Sequence, residues 1–306
     1  MRYYLRDGSL FIRGRFLAAS TGIQGGVRRV STILSHTVRP DWDGKEPERE
    51  LSLQVARAGL PPDYFGLLTA VPMRNLCVLS YGTLTVFITA GVSNPDPEFH
   101  PEICPDERAH TINIILHSGE GMSEGALLEC IITATGAKAA ALHSLGYPFS
   151  GTTTDAVIVA CEGENVHRYA GTGTELGKRI ARAVLHGVPE ALKRQQGEIS
   201  RDRPSFFIFS RYGGEHWVEW VPEDCPYYPC HFPGQRCDFC YCPFYPCRDE
   251  GLGQWMESSS GGKVWNCSRC TLVHEPEVTE YLRAHPEASL AELRAVEKRL
   301  KKPRES

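Results

Sequence analysis

Leu76-Cys77-Val78-Leu79-Ser80-Tyr81-Gly82-Thr83-Leu84-Thr85-Val86-Phe87-Ile88-Thr89-Ala90-Gly91 is the stretch whose reading decides the fold. Its two apolar runs, 76–81 and 84–91, carry the valine, isoleucine, phenylalanine and threonine that favour extended backbone. They follow one another with no room for a helix between them. Strict βαβ winding puts a helix after every strand, so this succession predicts a mixed sheet with packing helices, an α+β arrangement. Further strands are predicted at 10–18, 29–34, 64–71, 110–116 and 156–160. Helices are predicted at 50–58, 123–145 and 174–192. Ser123 is placed to cap the middle one, where Leu127, Ile131, Ala134, Ala141, Leu142 and Leu145 recur at helical spacing.

The sequence around this core sets outer bounds. A chain of 306 residues suits two domains. Residues 193–204, Lys-Arg-Gln-Gln-Gly-Glu-Ile-Ser-Arg-Asp-Arg-Pro, have a linker's composition. The expected division is therefore a domain at 1–192, a linker at 193–204 and a second domain at 205–306. The net charge of −4 supplies no basic field for a phosphate backbone, which argues against nucleic acid as partner. Arg2, Arg6 and Asp7 interrupt the start where an export signal would be apolar, and the apolar runs read as too short to span a bilayer. A cytoplasmic protein without membrane association is the expectation.

Eight of the 12 cysteines fall between residues 225 and 270. They read Cys225-x4-Cys230, Cys237-x2-Cys240-x-Cys242-x4-Cys247 and Cys267-x2-Cys270. In a reducing compartment such a cluster reads as metal ligands rather than disulfides. Zinc takes four thiolate or imidazole ligands tetrahedrally, and each CxxC turn supplies two of them. One or two structural zinc ions are expected, with His231 and His274 as reserve ligands. The segment carries aromatics and prolines but little aliphatic material, so zinc would supply much of its folding energy.

Several phrases of the first domain are specific. They are Gly25-Gly26-Val27-Arg28-Arg29-Val30-Ser31-Thr32-Ile33-Leu34, Thr89-Ala90-Gly91-Val92-Ser93-Asn94, and His110-Thr111-Ile112-Asn113-Ile114-Ile115-Leu116. With them stand Ala134-Thr135-Gly136-Ala137-Lys138-Ala139-Ala140-Ala141-Leu142, Gly151-Thr152-Thr153-Thr154-Asp155-Ala156 and Tyr169-Ala170-Gly171-Thr172-Gly173-Thr174-Glu175-Leu176-Gly177. In this order, over roughly residues 8 to 190, they resemble the adenosylcobinamide amidohydrolases. The cysteine-rich segment resembles a small domain sometimes fused to that family. The resemblance implies a corrinoid substrate and hydrolysis of the amide joining aminopropanol to the corrin ring of adenosylcobinamide, yielding adenosylcobyric acid. Gly136, Gly173 and Ser35 depart from the family's glutamate, histidine and asparagine. A corrinoid-binding or carrier protein without hydrolysis is accordingly the alternative.

Amide hydrolysis asks for an activated water or nucleophile, a partner for the oxyanion and an acid for the departing amine. The chain has no HExxH, GxSxG or P-loop signature, which argues against a zincin, an α/β-hydrolase and a nucleotide-cleaving enzyme. Asp155 follows a glycine–threonine turn and enters a strand, where it is either a turn cap or a site carboxylate. Lys138 interrupts the apolar stripe of the long helix and needs a carboxylate, a route to solvent or a site to face. Asp155 and Lys138 are the first catalytic candidates, with His110 behind them. His110 and Asn113, three residues apart on a strand, project to opposite faces. Candidate substrate contacts are Arg28, Asn94, Asn113, Thr152, Thr154, Thr172 and Thr174. Thr174 is most simply a helix N-cap, and Gly171-Thr172-Gly173-Thr174 is a weak phosphate loop. Ser289 and Glu292 form a capping-box pattern opening a helix that ends in basic residues.

Overall fold

The computed structural model describes residues 1–39, 42, 44–93, 111–164, 166–211, 213–257 and 262–300. The chain divides into one compact unit over Tyr3–Trp220 and a second from Val221 onward. In the first unit the strands are β1 (Arg2–Arg6), β2 (Ser9–Ser20), β3 (Gly26–Thr37), β4 (Tyr64–Thr69), β5 (Cys77–Tyr81), β6 (Leu84–Ala90), β7 (Ile112–Ser118), β8 (Gly121–Met122), β9 (Ala156–Cys161), β10 (Val166–His167), β11 (Ser205–Ser210) and β12 (His216–Glu219). Its helices are α1 (Pro47–Arg57), α2 (Glu124–Ser144) and α3 (Glu175–Gln195).

Among the described residues, ten strands form one mixed sheet in the order β12-β11-β5-β6-β7-β9-β2-β3-β4, with β1 added to β2. The β5–β6 and β6–β7 pairs are antiparallel, as the succession of strands without helices requires. The β7–β9 and β3–β4 pairs are parallel. Alternation along each strand separates two faces. Leu84, Val86, Ile88, Ile112, Ile114, Leu116, Val157 and Val159 face α2 and α3 in one core. The opposite face carries Leu10, Ile12, Ile33, Phe65, Val78, Phe87, Ile115 and Ile158 in a second core. This second cluster joins strands from both arms of the sheet, so the sheet curls over itself. Asn113 Nδ2 donates to the Leu68 carbonyl at 2.8 Å and thereby links β7 to β4, four places apart in the order.

Ser123 caps α2 as expected, its hydroxyl accepting the Ala126 N–H at 3.1 Å. α2 is long and apolar enough by length and composition to cross a membrane, contrary to the reading that no apolar run suffices. Here Leu127, Cys130, Ala134, Ala141 and Leu142 on one of its faces are buried in the first core.

The boundary differs from the expected one. α3 runs to Gln195, and β11, placed in the second domain by the sequence reading, pairs in parallel with β5 from Ser205↔Cys77 to Ile208↔Ser80. The polar residues 193–204 are tied down rather than free to act as a linker. Arg194 is 3% exposed and donates to Ser205 Oγ at 2.8 Å and to the Arg74 carbonyl at 2.6 Å. Polar composition signals contact with water, and here it accompanies a surface connection within one unit.

The second unit holds a hairpin of β13 (Gln254–Glu257) and β14 (Lys263–Asn266), then α4 (Pro276–Ala284) and α5 (Leu290–Leu300). It is less poor in aliphatic packing than expected, because Leu272, Val278, Leu282, Ala288 and Leu293 form a small buried core. The capping box is present: Glu292 Oε2 accepts the Ser289 N–H at 2.7 Å and Ser289 Oγ accepts the Glu292 N–H at 3.3 Å.

Candidate functional site

Lys138 lies two turns before the end of α2, and Asp155 is the residue immediately before β9. Because β7 and β9 run in parallel, Asp155 also lies beside the first residues of β7. Its Oδ1 accepts the Ile112 N–H at 2.8 Å and the Thr152 hydroxyl, and its Oδ2 accepts the Thr152 N–H at 3.1 Å. Lys138 Nζ donates to the same Oδ2. The ammonium that interrupts the apolar face of α2 thus finds a carboxylate, one of the three outcomes its position allowed. Lys138 is 7% exposed, so the pair sits in surroundings that strengthen its mutual attraction.

Gly151 explains how the pair fits. A Cβ at this position would collide with both Asp155 Oδ2 and Lys138 Nζ, so the loop passes over the ion pair only because the residue has no side chain. Thr111 adds a brace, donating from its hydroxyl to the Thr154 carbonyl at 2.9 Å. Sequence reasoning passed over Gly151 and Thr111 as partners of the pair, although both stand inside the quoted phrases. Thr89 was passed over too; it faces Asn113 in the β6–β7 register, and its buried hydroxyl has no hydrogen-bond partner among the described residues.

The other predicted residues scatter. Thr152 belongs to the Asp155 turn, and Thr154 contributes its carbonyl to it. Asn113 is buried and committed to Leu68 across the curled face. Arg28 lies over the Phe65 ring, 4.0 Å from its centre, and donates to the carbonyls of Gln24 at 3.0 Å and Tyr64 at 2.8 Å, which makes it a local tie. Thr174 caps α3, accepting the Gly177 N–H at 3.0 Å. Thr172 and Thr174 precede α3, beyond the C-terminal end of β9, whereas Asp155 precedes its N-terminal end. At the start of the Gly171–Thr174 turn, Glu129 Oε2 accepts the N–H groups of Ala170 and Gly171. His110 and Asn94 lie outside the described residues.

A second buried acid–base pair occupies the other end of β7. His117 Nε2 lies 3.1 Å from Glu162 Oε2, which also accepts from the Met1 ammonium at 2.9 Å, while Oε1 accepts the Arg15 N–H at 3.0 Å. Burial acts to raise the Glu162 carboxyl, but the hydrogen bonds from His117, Met1 and Arg15 outweigh it and hold the group at about 2.

In the second unit both CxxC segments form turns, with the Cys240 N–H on the Cys237 carbonyl at 3.2 Å and the Cys270 N–H on the Cys267 carbonyl at 2.9 Å. Gln235 Nε2 donates to Cys230 Sγ at 3.3 Å and Cys237 Sγ at 3.2 Å, bringing those two sulfurs together. Burial pushes the Cys240 thiol up, with Cys237, Cys230 and Cys225 adding to the effect. Burial likewise pushes Cys242 up to about 11, with Cys270, Cys267 and Cys247 as its thiol neighbours. The eight cysteines therefore sort into two groups of four. Among the described residues no three His, Cys, Asp or Glu side chains converge closely enough to hold a metal ion. As a donor set the two thiol quartets still have the chemistry zinc takes.

Comparison with known proteins follows the same division. A family model described as adenosylcobinamide amidohydrolase matches residues 11–200, and one described as cysteine-rich small domain matches 216–297. An adenosylcobinamide amidohydrolase of Methanosarcina mazei is 42% identical over 205 residues, covering 63% of this chain and 98% of that protein. One of Halobacterium salinarum is 33% identical over 185 residues, covering 56% of this chain and 78% of its own. A 62-residue stretch is 45% identical to part of a probable cobalt-factor III C(17)-methyltransferase of Methanothermobacter thermautotrophicus, 20% of this chain and 17% of that protein. A mixed-sheet domain of this kind, with these relatives, is a hydrolase acting on an amide. The chain belongs to the adenosylcobinamide amidohydrolase family.

Proposed function

We propose that this chain hydrolyses the amide between aminopropanol and the corrin ring of adenosylcobinamide, releasing adenosylcobyric acid in corrinoid salvage. The observation that carries the reading is the 42% identity to the Methanosarcina mazei enzyme over 98% of its length. Lys138 acts on the reacting amide, as a cation for the oxyanion or as the acid for the departing amine. Asp155 is the positioning residue: four donors already engage its oxygens, so it holds the ammonium rather than serving as a free base. Gly151 packs its backbone directly over the pair, and the exposed Thr153 and Thr154 flank it.

The cysteine-rich unit is the zinc-binding part of the proposal, with Cys225, Cys230, Cys237 and Cys240 as one ligand set and Cys242, Cys247, Cys267 and Cys270 as the other. Burial raises Cys240, Cys242, Cys267 and Cys270, so these four thiols keep their protons until a metal displaces them, and zinc uptake there releases protons and tightens the fold.

The test is incubation of the purified chain with adenosylcobinamide and resolution of the products by chromatography and mass. Aminopropanol and adenosylcobyric acid in equal amounts support the reading. Corrinoid binding without product identifies a carrier instead.

A further inference from the structure

A cavity of about 230 Å³ lies between the turn preceding β5 and the segment following α3, lined among others by Arg74, Asn75, Arg194, Gly197, Ser200 and Arg201. Whole ligands of drug size occupy ~300–1,000 Å³, so this space suits a small group.

The charges around it are out of balance. Arg201 is paired with Glu219 at 2.6 and 3.2 Å, and Glu219 also accepts the Ser205 hydroxyl at 2.7 Å, so that carboxylate is spoken for. Arg194 is buried, yet among the described residues its terminal nitrogens meet only the Ser205 hydroxyl and the carbonyls of Arg74 and Arg203, and its Nε has no partner there. Arg74 is exposed and forms no ion pair among the described residues. A guanidinium kept from water with neutral partners alone is costly, and the cost falls if an anion enters beside it. Arg74 has no counter-ion among the described residues and Arg194 shares the attraction of Glu219 with Arg201, so the positive charge here is matched better by a doubly charged tetrahedral oxyanion than by a single carboxylate.

We propose that this cavity is a binding site for a phosphate group, free or carried as a phosphomonoester. It is distinct from the Lys138–Asp155 pair but opens at the same end of the sheet. β5 and β7 each run antiparallel to β6 and so begin at the same end, two strand spacings or about 10 Å apart.

The test is calorimetric titration of the full chain with inorganic phosphate at fixed ionic strength, alongside Arg74→Ala and Arg194→Lys. Arg74 makes no ion pair, so its replacement should leave the thermal midpoint unchanged in phosphate-free buffer. Saturable one-to-one binding, weakened at least tenfold by Arg74→Ala, supports the site. Arg194→Lys, which keeps the charge but loses the guanidinium that anchors it to Ser205 and the Arg74 and Arg203 carbonyls, should also weaken binding. A parallel titration with glycerol phosphate distinguishes the sources: tighter binding marks a phosphomonoester, weaker binding free phosphate, and both uphold the site. Phosphate acting no differently from chloride, or an Arg74→Ala chain with unaltered affinity, overturns it.

Discussion

Lys138 on α2 and Asp155 at the start of β9 form a buried ion pair that ties helix to sheet, with Gly151 passing directly over it. Breaking a buried pair from one side typically costs ~3–5 kcal/mol, because it strands the remaining charge. Asp155→Asn should therefore lower both stability and turnover. Lys138→Met leaves a carboxylate that keeps three donors, so stability should fall less, while kcat should drop about 10²–10⁴-fold. Turnover measured beside thermal unfolding separates the effects. A Lys138→Met enzyme with near-normal kcat would reduce the pair to a structural clamp.

Two glycines of the same region should respond in opposite directions. Gly151→Ala puts a methyl group against the ion pair and should destabilise the unit and abolish activity. Gly136 sits on the exposed face of α2 with open space around it. Gly136→Ala should stabilise by ~0.5–1 kcal/mol through helix propensity and leave turnover unchanged. Chemical denaturation of both variants checks the contrast.

Acid should weaken the far end of β7 first. Glu162 is held at about 2 against an ordinary 4.5, so its contribution is complete above about pH 4.5 and is lost as pH falls toward 2. Burial lowers the His117 value below the ordinary 6.5, partly opposed by Glu162, so folding favours its neutral form and that contribution erodes below pH 6.5. Urea unfolding across this range should show a slope that Glu162→Gln flattens below pH 4.5. An unchanged slope would remove Glu162 from the account.

Zinc content gives a direct reading of the second unit. The purified chain should carry two zinc ions. Cys237→Ser and Cys267→Ser should each lose one and lower the unfolding temperature of that unit. Elemental analysis showing no zinc beside a cooperatively folded second unit would defeat the assignment.

Truncation tests the boundary. A chain ending at 220 should fold, whereas one ending at 192 should not, since it lacks β11 and uncovers the edge of β5. Circular dichroism and protease resistance of the two fragments distinguish this from a boundary at 193–204.

Most strands of the first unit were legible because their apolar runs are short, β-branched and bounded by turn residues, as at Leu84–Ala90 and Ala156–Cys161. α2 was legible through Ser123 and its apolar spacing. β11 was missed for a reason of context: Phe206–Phe209 is an apolar run, but what it pairs with lies at Cys77–Ser80, and nothing local reports that. The Lys138–Asp155 pairing was half legible, since a lysine on an apolar face demands a partner without naming it. The second, third and fourth donors to Asp155 come from backbone and hydroxyl groups whose convergence only the fold creates.

The pairing of Ser205–Ile208 with Cys77–Ser80 also has a temporal side. During synthesis the partner strand is made 128 residues after the one it must meet, 205 less 77. Until it leaves the ribosome, β5 presents an unsatisfied edge able to recruit other chains. Maturation of the sheet is thus vectorial. The cysteine-rich unit is translated immediately after β12, so a nascent chain stalled within it already holds every strand of the sheet.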